Sequence, residues 1–201
     1  MIETALLIFV FLMTVVFHEV SHGLAAYALG DATAKEAGRL SLNPLRHIHL
    51  FWTLVLPALL FWVTGGRFMF GMARPVPVNF FRLRHFRRGM VLVALAGPAA
   101  NLVIAGALAW VWKYLRLDFV LLIAYLNLGL AVFNLVPVPP LDGSRLAAAF
   151  LPLPWILRLF SLERLGILVI LLLYWQGILL RFVLAGIHFF SRLYGLPPLV
   201  L

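Results

Sequence analysis

An apolar run long enough to cross a membrane contains a metal-binding motif. Residues 4–29 are almost entirely apolar, and the pentapeptide His-Glu-Val-Ser-His occupies positions 18–22. A helix of about 20 apolar residues spans the hydrocarbon core of a bilayer, so the run is expected to form a transmembrane helix. No small-residue cleavage site follows it, which favours a retained helix over a cleaved signal peptide.

The pentapeptide has the spacing of a zinc site. His18 and His22 project from one face of a helix, about 5 to 6 Å apart, so both imidazoles can bind one Zn²⁺. Glu19 lies beside the first histidine and can serve as the general base for a metal-bound water. Because the chain contains no cysteine, any metal must be held by nitrogen and oxygen ligands.

The composition indicates an integral membrane protein. Hydrophobic residues make up 64% of the chain and charged residues 11%, whereas soluble domains are roughly 45 to 50% apolar. The net charge of +9 comes from basic residues in loops between apolar segments. Orientation in the membrane is the commoner cause of such a pattern, so the expected partner is the lipid bilayer and not nucleic acid.

Hydropathy and chain parity together predict the topology. Residues 50–63 are too few to span, contain Pro57 and end at a Gly-Gly pair. If the histidines and Asp142 lie toward the same face, an even number of crossings must separate them, so 50–63 should re-enter and return. The predicted spans are residues 4–29, 90–112, 119–136 and 163–180.

The distribution of basic residues predicts the orientation. Twelve of the 16 Lys and Arg residues then lie on one side of the membrane, in segments 30–88 and 137–164. By the positive-inside rule that side is the cytoplasm. We therefore expect a multi-pass protein of the cell membrane, with its amino terminus outside and the zinc site toward the cytoplasm.

The predicted fold class is an all-α polytopic membrane protein with a re-entrant segment and a short cytoplasmic β element. Residues 1–201 are expected to form a single domain, with a core at about 14–146 and a C-terminal helical region at 147–201. The β element is predicted at 39–42, where polar and apolar residues alternate. Its edge, around Leu40, could pair with an extended substrate peptide, although an ordinary loop explains these four residues equally well.

A second motif, Asn-Leu-Val-Pro-Val-Pro-Pro-Leu-Asp-Gly, occupies residues 134–143. Its three prolines cannot continue a helix, and irregular backbone at membrane depth is tolerated only against protein or a water-filled cavity. Asp142 could then be a third ligand, with water in the open position of a tetrahedral zinc. Asp is also favoured at helix N-caps, and the decapeptide alone leaves both interpretations open, whereas the histidine pair favours ligation.

Taken together, these motifs resemble those of the site-2 protease family of intramembrane zinc metalloproteases, in particular its compact members that hold the catalytic core alone. The resemblance covers roughly residues 14–146. Besides the two motifs above, it rests on Ala-Gly-Pro-Ala-Ala-Asn at 96–101 and on segments 30–35, 38–44 and 73–79. One departure is His49, since such members usually have Asp after His-Ile.

The resemblance implies an intramembrane zinc endopeptidase. His18, His22 and Asp142 would bind Zn²⁺, Glu19 would be the catalytic acid/base, and Asn134 would help hold the substrate or the transition state. The substrate would be a transmembrane segment of another protein, cleaved near the cytoplasmic face. It would arrive by encounter in the membrane or through a separate recruiting partner.

Two alternative functions use the same residues. A zinc transporter or sensor would also place ionisable side chains in the membrane, but it is expected to offer ligands at several depths or in repeated halves. An inactive family member would be expected to lack part of a motif, whereas the motifs here are complete.

Asn101 and Asn127 are predicted to bond neighbouring helices for structure alone.

Overall fold

A computed structural model describes residues 2–66, 71 and 73–199, so Arg67, one of the basic residues counted above, lies outside the described residues. Within that part every regular element is helical, which agrees with the predicted all-α class but not with the predicted short β element. The α-helices are α1 (Ile2–Ala28), α2 (Thr33–Glu36), α3 (Leu56–Val63), α4 (Phe86–Leu115), α5 (Asp118–Asn134), α6 (Asp142–Ala148), α7 (Leu153–Ser161), α8 (Glu163–Trp175) and α9 (Ile178–Tyr194). Two 3₁₀ turns (Pro44–His47 and Phe80–Arg82) and a π-helix (Leu50–Val55) complete them.

Two of these helices are long and apolar enough to cross a membrane. They are α4, over its whole length, and residues Leu6–Ala28 of α1. They contain or nearly contain the predicted spans 4–29 and 90–112. The first ends at Ala28, two residues before Gly30, whose φ of 104° suits glycine and prevents the helix from continuing. The chain is therefore a membrane protein, as predicted.

The predicted span at 163–180 is not confirmed, because the structure has no continuous helix over these residues. The chain breaks after Trp175, and the axes on either side of the break differ by 79°. The physical reason is Gly177, which adopts φ 71° and so ends α8 and begins α9. Apolar residues on both sides of this glycine hide the break from hydropathy. The pair is either a broken span or a re-entrant loop. Helix α5, at the predicted span 119–136, has 17 residues and is shorter than α1 and α4. The part of the chain that the structure describes thus contains two or three candidate spans, and the predicted count of four is not confirmed.

The predicted re-entrant segment at 50–63 is helical throughout. The π-helix Leu50–Val55 continues directly into α3, which ends before Gly65 and Gly66, both with positive φ. Fourteen helical residues extend about 21 Å, which is less than the roughly 30 Å of a bilayer core. Leu56 and Leu60 pack on the cluster that contains Leu141, next to the proposed ligand Asp142.

The predicted strand at 39–42 is not confirmed. The described part of the chain contains no strand, and residues 39–43 have no regular structure. A strand is defined by backbone pairing with a neighbour. In this segment a side chain connects the neighbouring loops instead of backbone pairing. The guanidinium of Arg39 donates to the carbonyls of Arg46 and Arg74.

Helices α1, α4 and α5 form the centre of the bundle, with α4 packed against both others and α9 packed against α5. Small residues make the close approach of α4 and α5 feasible, because Ala105, Ala109 and Ala124 are all buried where these helices meet. Large apolar side chains such as Val103 and Trp110 point outward. This arrangement fixes the orientation of the polar side chains on α1 and α4 inside the bundle.

Candidate metal centre

Helix α1 and the start of α6 bring three potential metal ligands together inside the bundle. His18 Nε2 and His22 Nε2 are 3.1 Å apart, and each lies 3.1 Å from Oδ2 of Asp142. All three side chains are buried. They form the group within the described residues that could hold a metal ion. Residues 124 positions apart in the chain are thus brought into contact.

The geometry of this group fits a tetrahedral metal. Ligands 2.0 to 2.1 Å from a tetrahedral zinc are about 3.3 Å from one another, close to the observed 3.1 Å. Two nitrogen ligands and one carboxylate oxygen leave one position open, as in catalytic zinc sites. The donor set of two imidazoles and a carboxylate is also one that zinc accepts.

The second nitrogen of each histidine is held by an acceptor from α4. His22 Nδ1 donates to the Val93 carbonyl at 2.6 Å, and His18 Nδ1 donates to Oδ1 of Asn101 at 2.6 Å. A carbonyl oxygen can only accept, so Nδ1 carries the proton and the lone pair on Nε2 faces the other ligands. Hydrogen bonds of this kind fix the tautomer and the ring orientation of metal-binding histidines.

Gly97 makes room for the two imidazoles. It lies on α4, and a Cβ at this position would be 2.3 Å from His22 Nε2 and 2.7 Å from His18 Nε2. Any side chain would therefore occupy the space that a bound ion needs. From the sequence, the small residues around Gly97 are predicted to serve helix packing; the structure shows that this glycine faces the metal centre.

We expect Gly97→Ala to lower zinc affinity by about tenfold or more, because the added methyl must displace a ligand and overpacking costs about 1 to 3 kcal/mol. Zinc affinity of the purified protein, measured by competition with a chelator, checks this. Gly106→Ala is the matched control on the same helix, since its Cβ would meet only the Tyr194 ring at 3.5 Å. Equal affinities for the two variants would contradict the proposed location of the ion.

Glu19 follows His18 directly in the sequence, but its carboxylate is not part of the group formed by His18, His22 and Asp142. Its Oε2 accepts a hydrogen bond of 2.8 Å from the backbone N–H of Val76. Val76 stands between Pro75 and Pro77, which have no N–H group, so its amide is the donor that this short stretch can offer. The bond fixes one carboxylate oxygen of Glu19.

A cavity of about 460 Å³ lies beside the segment that holds Glu19. It is lined by the backbone and side chains of two loops: Ala37, Gly38, Arg39, Leu45, Arg46, Ile48, Arg74, Pro75 and Pro77. Burial lowers the pKa of Arg39, and the nearby charge of Arg74 lowers it further. The cavity is thus rich in positive charge, on the side of the chain that the basic residues predict to be cytoplasmic.

Asp142 is the first residue of α6, and Leu141 holds the N-cap position. Its Oδ2 contacts the two histidines, while Oδ1 lies 3.6 Å from Nη1 of Arg145. These contacts orient the carboxylate toward the histidines, which favours ligation over the capping interpretation. Gly143 allows this position, because a Cβ there would lie 2.2 Å from the Leu135 carbonyl oxygen.

The two residues predicted to contact substrate, Asn134 and Leu40, are not part of the group formed by His18, His22 and Asp142. Asn134 is the last residue of α5, and its Nδ2 donates to the Leu130 carbonyl at 3.0 Å, within its own helix. The Leu40 side chain packs over Gly23 of α1, where a Cβ would be 2.5 Å from its Cδ2. Leu40 is therefore near the helix that carries the motif. Substrate contact by either residue stays a prediction.

From the sequence, Asn101 is predicted to bond a neighbouring helix for structure alone. The structure shows that its amide oxygen contacts Nδ1 of His18 directly. Val93, Gly97 and Asn101 are spaced four apart and share one face of α4. That face lies against the metal centre, with one carbonyl, one gap and one amide directed at it. The spacing from Gly97 to Asn101 was the available signal, but it does not say which helix the face contacts.

Comparison with known proteins agrees with the geometry. The family model described as "Peptidase family M50" matches residues 113–158. A Bacillus subtilis protein named "Putative zinc metalloprotease YwhC" is 35% identical, with 84% of this chain and 79% of that protein covered. "Putative zinc metalloprotease Rip2" of Mycolicibacterium smegmatis is 34% identical over 66% of this chain and 52% of its own length. No solved structure gives a significant match.

Proposed function

This chain belongs to peptidase family M50, the site-2 protease family, and from that membership we propose that it is an intramembrane zinc endopeptidase. Its substrates are transmembrane segments of membrane proteins, cleaved near the cytoplasmic face. The observation that carries the proposal is the convergence of His18, His22 and Asp142 within a helix bundle, with Glu19 adjacent to His18 in the sequence. The relatives that are named zinc metalloproteases support zinc as the cofactor.

The residues have separate roles in the proposed mechanism. His18 and His22 would hold the ion through Nε2, and Asp142 would hold it through Oδ2. A bound zinc would supply polarisation of the scissile carbonyl and activation of water. Glu19 accepts the proton of the attacking water on the carboxylate oxygen that does not bond Val76, and then delivers it to the leaving amine.

The site requires that the substrate unwind, because peptide bonds inside a helix are shielded by their own hydrogen bonds. Residues 39–43 have no regular structure, and in this proposal an extended peptide pairs with the backbone around Leu40. Asn134, at the end of α5, would help to hold the substrate beside the unwound segment that leads to Asp142. Substrates reach the site by encounter in the bilayer or through a separate recruiting partner.

The proposed location is the cell membrane, with several crossings, the amino terminus outside and the zinc site toward the cytoplasm. His18 lies ten residues before the end of α1, so the ligands are about 15 Å from that helix end. Water must therefore reach Glu19 from the loops. The basic cavity at Arg39, Arg46 and Arg74 is the proposed side of entry.

The competing function is zinc transport or sensing without hydrolysis. The described residues hold one group of three potential ligands, whereas a transport path is expected to have several. The test compares two assays on the same purified protein: chelator-sensitive cleavage of a transmembrane peptide in detergent, and zinc flux into vesicles. Cleavage that stops on chelation and returns with zinc supports the protease. Zinc flux without cleavage would contradict it.

A further inference from the structure

A chain of buried hydrogen bonds leads from His18 across α4 to α5. His18 Nδ1 donates to Asn101 Oδ1 at 2.6 Å, and Asn101 Nδ2 donates to Asn127 Oδ1 at 2.8 Å. Asn127 Nδ2 in turn donates to the Ile123 carbonyl at 2.9 Å and approaches Thr14 Oγ1 at 3.4 Å. Asn101 and Asn127 are 0% and 1% exposed, so water does not compete for these groups.

The donor and acceptor in each of these hydrogen bonds are fixed by the last one, between Asn127 and Ile123. The carbonyl of Ile123 can only accept, so the NH₂ group of Asn127 must face it and the amide oxygen must face Asn101. Asn101 then has to present its own NH₂ group to Asn127 and its oxygen to His18. That oxygen requires a proton on Nδ1 of His18. The backbone of α5 thereby determines which nitrogen of a histidine on α1 is protonated.

We propose that Asn101 and Asn127 are positioning residues of the metal centre, which hold His18 in the tautomer whose Nε2 lone pair is free for the ion. The inference rests on the proposed zinc site and adds the device that prepares one of its ligands. The tautomer of His22 is fixed in the same way, but directly, because the backbone carbonyl of Val93 accepts a hydrogen bond from its Nδ1.

Replacing Asn127 would remove the constraint on the tautomer of His18, although the Asn127 side chain bonds Asn101 and not His18. Asn101 would lose the acceptor of its NH₂ group, and a buried unsatisfied donor costs about 1 to 3 kcal/mol. Rotation of the Asn101 amide would then offer NH₂ to His18 Nδ1 and favour the proton on Nε2, where it opposes the ion. A role in helix packing alone would change the stability of the fold but not the choice of tautomer.

The test measures zinc affinity of the purified 201-residue chain in detergent by chelator competition, with thermal unfolding measured in parallel. We expect Asn101→Leu and Asn127→Leu to weaken zinc binding by about 10- to 100-fold, although Asn127 touches neither the ion nor a ligand. Asn127→Asp should stay within about threefold of wild type. Its carboxyl, kept protonated by burial, can donate to Ile123 and accept from Asn101.

Thr14→Val is the matched control, because it removes a buried hydroxyl that contacts the same amide while the Ile123 carbonyl still orients it. Its zinc affinity should equal that of wild type. If Asn127→Leu does not fold, Asn127→Ala provides the same test with a smaller side chain.

Two results would overturn the inference: wild-type zinc affinity in Asn101→Leu and Asn127→Leu, or an equal loss in Thr14→Val and Asn127→Leu. If the wild-type chain itself binds no zinc, the proposed function fails instead, and the two failures are thereby distinguished.

Discussion

Replacing Glu19 by glutamine should abolish cleavage of a transmembrane substrate while zinc stays bound. Glutamine keeps the size of the side chain and can still accept a hydrogen bond from Val76, but its amide cannot take a proton from water. General-base catalysis contributes about 10²- to 10⁴-fold to a rate, so we expect cleavage to fall at least a hundredfold. The measurement is the cleavage rate of a co-purified or co-expressed substrate, with zinc content determined on the same sample.

Glu36→Gln is the control for this change, since Glu36 is exposed and its ion pair with Arg82 at 3.5 Å lies at the surface. Its cleavage rate should equal that of wild type. Full activity of Glu19→Gln would remove Glu19 from the mechanism, whereas loss of both zinc and activity would assign Glu19 to metal binding instead.

Asp142→Asn should weaken zinc binding by more than about a hundredfold. The change removes the anionic ligand and leaves a neutral amide beside the two histidines, and metal affinity depends on a deprotonated ligand. It also removes the charge that faces Arg145 Nη1 at 3.6 Å. Removing a partner outside the ligand set typically costs 10- to 100-fold, so loss of a ligand should exceed that range.

Elemental analysis after dialysis, together with chelator competition, measures this effect. Asp118→Asn is the control, because Asp118 is an exposed residue in the first turn of α5. Unchanged zinc content in Asp142→Asn would return Asp142 to a structural role at the start of α6. Loss of zinc from both variants would indicate general unfolding.

The sequence predicts the parts of the fold that depend on local rules. Long apolar runs predict α1 and α4, because only a helix satisfies the backbone inside a bilayer. The spacing of His18 and His22 predicts two nitrogens on one face, and the prolines before Asp142 predict an unwound chain there. The structure brings these three side chains together, and their binding of zinc is the proposal that the experiments test.

Other features depend on information that hydropathy does not contain. The bend between α8 and α9 depends on the positive φ of Gly177, and a single glycine among apolar residues barely changes a hydropathy average. Backbone pairing at 39–42 requires a partner segment, which four residues cannot reveal. The sequence shows that Gly97 is small, but only the fold shows that two imidazoles fill the space beside it.

The contacts of Asn101 are the clearest example of a feature that the sequence alone does not reveal. An amide in a transmembrane helix predicts a hydrogen bond to another helix, and that much is correct. Which group it bonds depends on the packing of α1, α4 and α5 as a unit, and its direction depends on the carbonyl of Ile123. The two contacts of Asn101 itself join residues that are 26 and 83 positions apart in the chain.

X-ray absorption at the zinc edge of the purified chain shows whether His18, His22 and Asp142 bind the ion, because it reports the type, number and distance of the atoms around it. We expect about one zinc per chain, bound by two imidazole nitrogens and by oxygen at about 2.0 to 2.2 Å. In His22→Ala the imidazole contribution should fall from two to one or the zinc should be lost. If the protein binds no zinc, or if its zinc has no imidazole ligand, the proposed metal centre is wrong.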